Sequence, residues 1–316
     1  MKKVKKMLAA LLAAIMCLGV LSGCSGTEAG IYVDGEKQEI SKLMTINGND
    51  ITVEEYRYYF LNNKKDMDEG NAEYWTEHPE KEQELKDKVL YYLKAHYAIK
   101  ALADDNGVVL PEKQQEEVNA EIQEYIDQMG GEMNFAMAMS GIYTTPEYYR
   151  EILLISRIQN AIILKLYGDQ FLSDICRVKY IRMDLSDKEK AQRILDKVQA
   201  GEDFETLMKS YGNDDTMLTS DDGQYLKRSS TDQGYEDTAF SLEIGQTSGL
   251  VETVNGIFIL KRYELDENYL ISHLADFVKD RTDIIEDMSA KIEEKMDHLE
   301  VVYDPSYDMV SVTTVQ

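Results

Sequence analysis

Arg177-Val178-Lys179-Tyr180-Ile181-Arg182-Met183 begins the stretch whose reading decides the fold, and that stretch closes at Tyr263. Its apolar run from Val178 to Met183 predicts a short strand. Ser186 followed three positions later by Glu189 has the form of a capping box, so a helix is expected to start there. Ala191, Ile194, Leu195 and Val198 fall at i, i+3, i+4 and i+7, and Gly201 stands where a helix-ending glycine belongs. Phe204, Leu207, Met208 and Tyr211 repeat the spacing before Gly212. Asn213 to Gln224 reads as a polar loop, and Tyr235 to Phe240 as a turn of helix. Asn255-Gly256 between two apolar runs is a hairpin signal. A strand, two helices, a helical turn and a closing hairpin make a compact α+β module.

Several of these pieces carry a family likeness. Val178 to Ile181, Ala-Gly-Glu-Asp-Phe-Glu-Thr-Leu (200–207), Tyr-Glu-Asp-Thr-Ala-Phe-Ser-Leu (235–242), Ile-Gly-Gln-Thr-Ser-Gly-Leu-Val (244–251) and Asn-Gly-Ile-Phe-Ile-Leu-Lys (255–261) occur in this order. Together they resemble the parvulin (PpiC-type) peptidyl-prolyl isomerase domain, over residues 175–264. The resemblance implies rotation about X–Pro bonds, with no bond made or broken. It puts the family's catalytic positions at Asp214, Tyr180, Phe258 and Asn255. The proline-ring pocket falls to Gly223, Leu226, Thr231 and Tyr235, where the family usually has leucine, phenylalanine, methionine and phenylalanine. Tyr180 and Phe258 stand where parvulins usually carry histidines. All four histidines of the chain (His78, His96, His273 and His298) lie outside the module. The fold likeness is therefore joined to an active site that looks eroded.

The flanks read as helical. Thr52 with Glu55 is a second capping box, after a short hairpin-like lead through Asn47-Gly48. Helices are expected from Pro79 to Asn106, from Pro111 to Gly130-Gly131, and from Thr145-Pro146 onward, with a Met-rich piece between Met133 and Met139. Phe135, Gly141-Ile142 and Thr145-Pro146-Glu147-Tyr148-Tyr149-Arg150 resemble the N-terminal helical domain of SurA- and PrsA-type extracytoplasmic foldases. Glu267 to Leu299 reads as one long amphipathic helix. The likeness implies that residues 265–316 pack back onto a helical chaperone-like domain at 44–174. The expected fold class is then α+β: an all-helical domain built from both ends of the chain, with the parvulin-like module inserted.

At the start, Lys2, Lys3, Lys5 and Lys6 precede an apolar run from Met7 to Val20 that is short for a membrane span. Leu21-Ser22-Gly23-Cys24 resembles a bacterial lipobox, so residues 1–23 are expected to be a lipoprotein signal and Cys24 its lipidation site. The plainer alternative is an ordinary signal peptide with an incidental cysteine. Lipidation implies an extracytoplasmic protein held to a bacterial membrane by acyl chains. Residues 24–43 are polar and aperiodic and suit a tether. Removing residues 1–23 takes four lysines away and moves the formal charge from −25 to −29, which repels nucleic acid and anionic head groups. With Cys17 gone and Cys24 lipidated, only Cys176 remains as a thiol, beside an apolar strand, where a packed residue is favoured over a nucleophile.

No Cys-x-x-Cys, His-Glu-x-x-His, Gly-x-Ser-x-Gly or phosphate-loop pattern occurs, and the histidines are scattered, so no metal or cofactor is expected. Acidic pairs such as Asp214-Asp215 and Asp221-Asp222 read as solvated loop, Asp214 excepted. Fifteen Met and 21 Tyr against seven Phe suit helix cores, and equally suit surfaces that adapt to varied peptides. Three functions follow from these residues. The first is a chaperone or foldase for unfolded exported polypeptides, with weak or no isomerase activity. The second is an active isomerase, and the third an envelope lipoprotein using the module for docking.

Overall fold

The computed structural model describes residues 28–71, 73–229 and 231–316, so the signal and Cys24 readings lie outside the described residues. The chain divides into two compact units. One takes in the described residues up to Lys165 together with Arg281–Gln316, and the other is Leu166–Asp280. In chain order the strands are β1 (Tyr32–Val33), β2 (Glu36–Lys37), β3 (Met44–Ile46), β4 (Asn49–Ile51), β5 (Ile175–Met183), β6 (Gln224–Lys227), β7 (Val251–Thr253), β8 (Gly256–Tyr263) and β9 (Val301–Tyr303). Helices α1 (Val53–Asp68), α2 (Tyr74–Glu77), α3 (Lys81–Asp105), α4 (Glu112–Gln128), α5 (Glu132–Gly141) and α6 (Pro146–Tyr167) precede the second unit. That unit holds α7 (Lys188–Gln199), α8 (Phe204–Tyr211), α9 (Asp215–Thr219), α10 (Gln233–Ser241), α11 (Glu267–Ser272) and α12 (Leu274–Val278); α13 (Thr282–Asp297) returns to the first. The fold class is α+β, as expected.

In the first unit the Thr52 hydroxyl accepts the Glu55 N–H at 3.2 Å, which fixes the start of α1. At its end, Asp68 accepts the Gly70 N–H, the Trp75 indole N–H at 2.7 Å and an ion pair from Lys64. Leu85, Val89 and Leu93 give α3 a fully buried stripe, against which α1 and α13 pack. His96, on the same helix, is a core histidine whose pKa burial pushes down to about 3. The β3–β4 hairpin takes β9 as a third antiparallel strand, so the C-terminal segment completes an N-terminal sheet. From Gly30 onward the stretch read as tether is folded. Gly30 and Gln316 exchange backbone hydrogen bonds at 3.0 and 2.9 Å, and Ile31 is buried opposite Val315. The two-residue strands β1 and β2 pair with each other and leave no period, and the backbone from Gly30 to Tyr32 is tied to residues 314–316 at the far end of the chain.

The second unit is an antiparallel sheet in the order β6-β5-β8-β7. One face, with Ile181, Met183, Ile257 and Ile259, packs on α7 and α8. The other, with Cys176, Val178, Leu226, Phe258 and Leu260, packs on α10. Four local expectations need correction. The Ser186 capping box does not form: a 3-10 turn occupies Leu185–Asp187 and α7 starts after it without a side-chain cap. The polar loop contains α9, whose five residues are too few for a visible period, and ends in β6. The hairpin turns on Val254-Asn255, while Gly256 (φ 137°) begins β8, pressed so close to the Met183 carbonyl that a Cβ would lie 2.6 Å from it.

The fourth correction is the single helix expected over Glu267–Leu299. The structure breaks it into α11, α12 and α13. Asp266 caps α11 by accepting the Asn268 and Tyr269 N–H groups, and Tyr269 stacks on Tyr225 of β6 with ring centroids 3.9 Å apart. Leu270, Ile271, Leu274, Phe277 and Val278 are buried. Residues 266–280 therefore belong to the sheet's unit. Among the described residues no helix is long and apolar enough to cross a membrane.

Candidate active site

Antiparallel register assembles the site. Tyr180 on β5 faces Leu260 on β8, and Arg182 faces Phe258, so the side chains of Tyr180, Arg182 and Phe258 emerge on one face of the sheet. Tyr235 of α10 comes down on the same face, placed by Asp232, whose carboxylate accepts the Tyr235 N–H at 3.1 Å. The three aromatic rings meet edge to face: Tyr180 to Phe258 at 5.3 Å, Tyr235 to Phe258 at 5.2 Å, and Tyr180 to Tyr235 at 6.3 Å. Phe258 and Tyr235 are buried. The Tyr235 hydroxyl donates to Gln224 Oε1 at 2.8 Å.

Asp214 stands beside this cluster as the N-cap of α9. Its Oδ1 accepts the Met217 N–H at 3.2 Å and its Oδ2 accepts the Tyr180 hydroxyl at 3.1 Å. Burial, and then the Asp214 carboxylate, push the Tyr180 pKa up to about 12. The phenol is therefore a neutral donor at physiological pH and not a base. Both carboxylate oxygens are engaged, and the nearest side chains are aromatic where the family has imidazoles. Such a site offers a peptide one carboxylate and one phenol. Phe258, Tyr235 and Leu226 lie together in one apolar cluster, with Tyr180 packed against it.

The other residues singled out from sequence are placed as follows. Leu226 lies in the apolar cluster under the rings. Asn255 is exposed on the hairpin turn and contributes its backbone carbonyl, which accepts Arg182 Nε–H at 2.8 Å. Thr231 is exposed at the approach to α10. Gly223 is not a pocket wall that has lost a side chain. Its φ of +76° and the 2.7 Å that would separate a Cβ from the Val178 carbonyl make it a backbone contact at the entry to β6. Gly223→Ala should therefore lower the urea midpoint by the equivalent of roughly 2–4 kcal/mol, through strain and displacement of β6. An unchanged midpoint would mean that β6 yields freely.

Arg182 and Gln224 were missed from sequence. Arg182 also donates to Asn213 Oδ1 at 3.2 Å and so ties the rim of the site together. Its position two residues after Tyr180 on a strand was the available signal. Cys176 is buried with its thiol against the Ala239 carbonyl, and burial raises its pKa, so it is a packed residue. Among the described residues no group of three or more His, Cys, Asp or Glu could hold a metal.

Residues 160–265 match the family model of the PPIC-type PPIASE domain, and residues 1–157 that of the SurA-like N-terminal domain. The chain carries a PPIC-type PPIase domain behind a SurA-like N-terminal domain. Among its relatives, the foldase protein PrsA of Bacillus subtilis (strain 168) is 33% identical over 81 residues, 25% of this chain and 28% of that protein. The foldase protein PrsA of Halalkalibacterium halodurans is 23% identical over 310 residues, covering 90% of this chain and 77% of the relative. The match thus spans little more than a quarter of the first relative and most of the second. The crystal structure of PrsA from Bacillus subtilis aligns with a TM-score of 0.30 at 20% identity, over 79% of this chain and 88% of that one.

Proposed function

We propose that this chain is an extracytoplasmic, lipid-anchored foldase whose helical unit holds unfolded exported polypeptides and whose PPIC-type domain isomerises X–Pro bonds weakly or not at all. One observation supports the second half: Tyr180 and Phe258, the positions at which the family resemblance implies histidines, pack edge to face with each other, and Phe258 does so with Tyr235. Uncatalysed X–Pro rotation crosses a barrier near 20 kcal/mol, and each ~1.4 kcal/mol removed gives a factor of about ten. A site without the two imidazoles would forfeit part of that stabilisation. The holding role draws on relatives named as foldases and on the SurA-like domain. Anchoring draws on the lipobox-like run ending at Cys24, with residues up to about 30 as the tether.

The test uses the chain without residues 1–24 in an X–Pro peptide isomerisation assay, beside suppression of aggregation of an unfolded client. Little acceleration is expected, unaltered in Asp214→Ala, together with clear suppression. Substantial acceleration that falls in Asp214→Ala would instead establish an active isomerase. For the anchor, Cys24→Ser in the full-length chain should release the protein from the membrane fraction or leave the precursor uncleaved. Unchanged partition and processing would remove the lipoprotein reading.

A further inference from the structure

The α5 helix is apolar on both sides. Phe135 and Met139, each 1% exposed, face inward against Val118, Tyr149 and Leu153. Met133 and Met137 lie one turn apart on the opposite side, 78% and 47% exposed. A helix covered on one side only would ordinarily show polar residues on the other. The exposed pair instead forms a continuous strip of flexible, polarisable side chain, the kind that adapts to partners of varied shape.

The surroundings decide what chemistry the strip can receive. From Pro111 to Gly141 the chain carries seven carboxylates and a single basic residue, Lys113. Glu112, Glu116, Glu124, Asp127 and Glu132 are exposed, with Glu132 adjacent to Met133 and Asp127 just across the Gly130-Gly131 turn. The nearby Arg157 of α6 is engaged by Glu121 at 2.9 Å. An anionic segment is repelled by such a field, and a cationic one is attracted and steered.

We infer that the outer face of α5, centred on Met133 and Met137, docks cationic amphipathic segments of unfolded polypeptides, in which apolar side chains alternate with Lys or Arg. The inference rests on the holding role proposed above and assigns it a surface and a substrate class. Apolar side chains of the segment cover the two methionines while its charges meet the flanking carboxylates.

The probes are a fluorescent peptide of Leu alternating with Lys and its Leu/Glu counterpart, followed by anisotropy on the chain without residues 1–24. The Leu/Lys peptide should bind and the Leu/Glu peptide should not, and 0.5 M salt should weaken the binding severalfold. Met133→Ser with Met137→Ser should weaken it roughly tenfold or more, the loss expected when two exposed anchors stop being covered. Far-UV circular dichroism should not change, because neither side chain is in the core. Glu124→Gln, Asp127→Asn and Glu132→Gln together should lower the affinity and flatten its salt dependence with the methionines intact. Absence of Leu/Lys binding, equal binding by the methionine variant, or preference for the Leu/Glu peptide would each overturn the inference. Client aggregation separates the two levels. Suppression by the parent chain that is undiminished in the methionine variant overturns this surface and leaves the holding role standing. No suppression by the parent chain overturns both.

Discussion

Phe258→Ala is expected to destabilise the second unit by roughly 3–5 kcal/mol, the usual loss when a buried phenylalanine leaves a cavity. Phe258 is 7% exposed, touches the rings of both Tyr180 and Tyr235, and belongs to the apolar cluster with Val178, Leu226 and Leu260. Tyr180→Phe at the other family histidine position removes one hydrogen bond to a half-exposed carboxylate and should cost only about 1 kcal/mol. The two positions have thus diverged, one into core and one into a polar link. Tyr180→His with Phe258→His should therefore lower stability as well as offer catalysis, since the second imidazole enters an apolar cluster. Urea midpoints and isomerisation rates must be measured on the same samples. Equal midpoints for Phe258→Ala and Tyr180→Phe would mean that Phe258 does not carry the core packing described above.

The parts of the fold that were legible in the sequence are those whose cause is local. Phe204, Leu207, Met208 and Tyr211 have helical spacing, and the structure has α8 between Phe204 and Tyr211. Thr52 was a visible cap and it caps α1. What was not legible depends on distant partners. The break of Glu267–Leu299 leaves its first turn packed on β6, where Tyr269 stacks on Tyr225, 44 residues earlier in the chain, and nothing in the helical period announces it. Gly30 and Ile31 are ordered by Val315 and Gln316. At the site, Tyr180 with Asp214 was foreseeable from the family likeness, and the hydrogen bond is there. At Gly223 a missing side chain and a crowded backbone look alike in sequence. Only the Val178 carbonyl, 2.7 Å from where a Cβ would sit, tells them apart.

The other large effect concerns pH and the first unit. Glu55 of α1 is 6% exposed, and burial pushes its pKa up to about 7 from the usual 4.5. Its Oε2 accepts the Tyr97 hydroxyl from α3 at 3.2 Å, and its Oε1 has no hydrogen-bond donor in normal geometry. Lys100 of α3 and Tyr148 of α6 lower the pKa and Glu151 of α6 raises it, but burial dominates. Below about pH 4.5 the carboxyl is protonated in both folded and unfolded chains, and its raised pKa costs nothing. As pH rises from there to 7, the unfolded chain ionises first and is favoured. The folded state thus loses up to about 3 kcal/mol by pH 8 relative to a group that does not titrate. Glu55→Gln keeps the size and the acceptor for Tyr97 and removes the titration. The stability difference, variant minus parent, should therefore grow between pH 5 and pH 8 by about that amount, or roughly 6–12 °C in melting temperature for a unit of this size. Parallel melting temperatures at the two pH values would show that the Glu55 carboxyl ionises in the folded chain as easily as in the unfolded one.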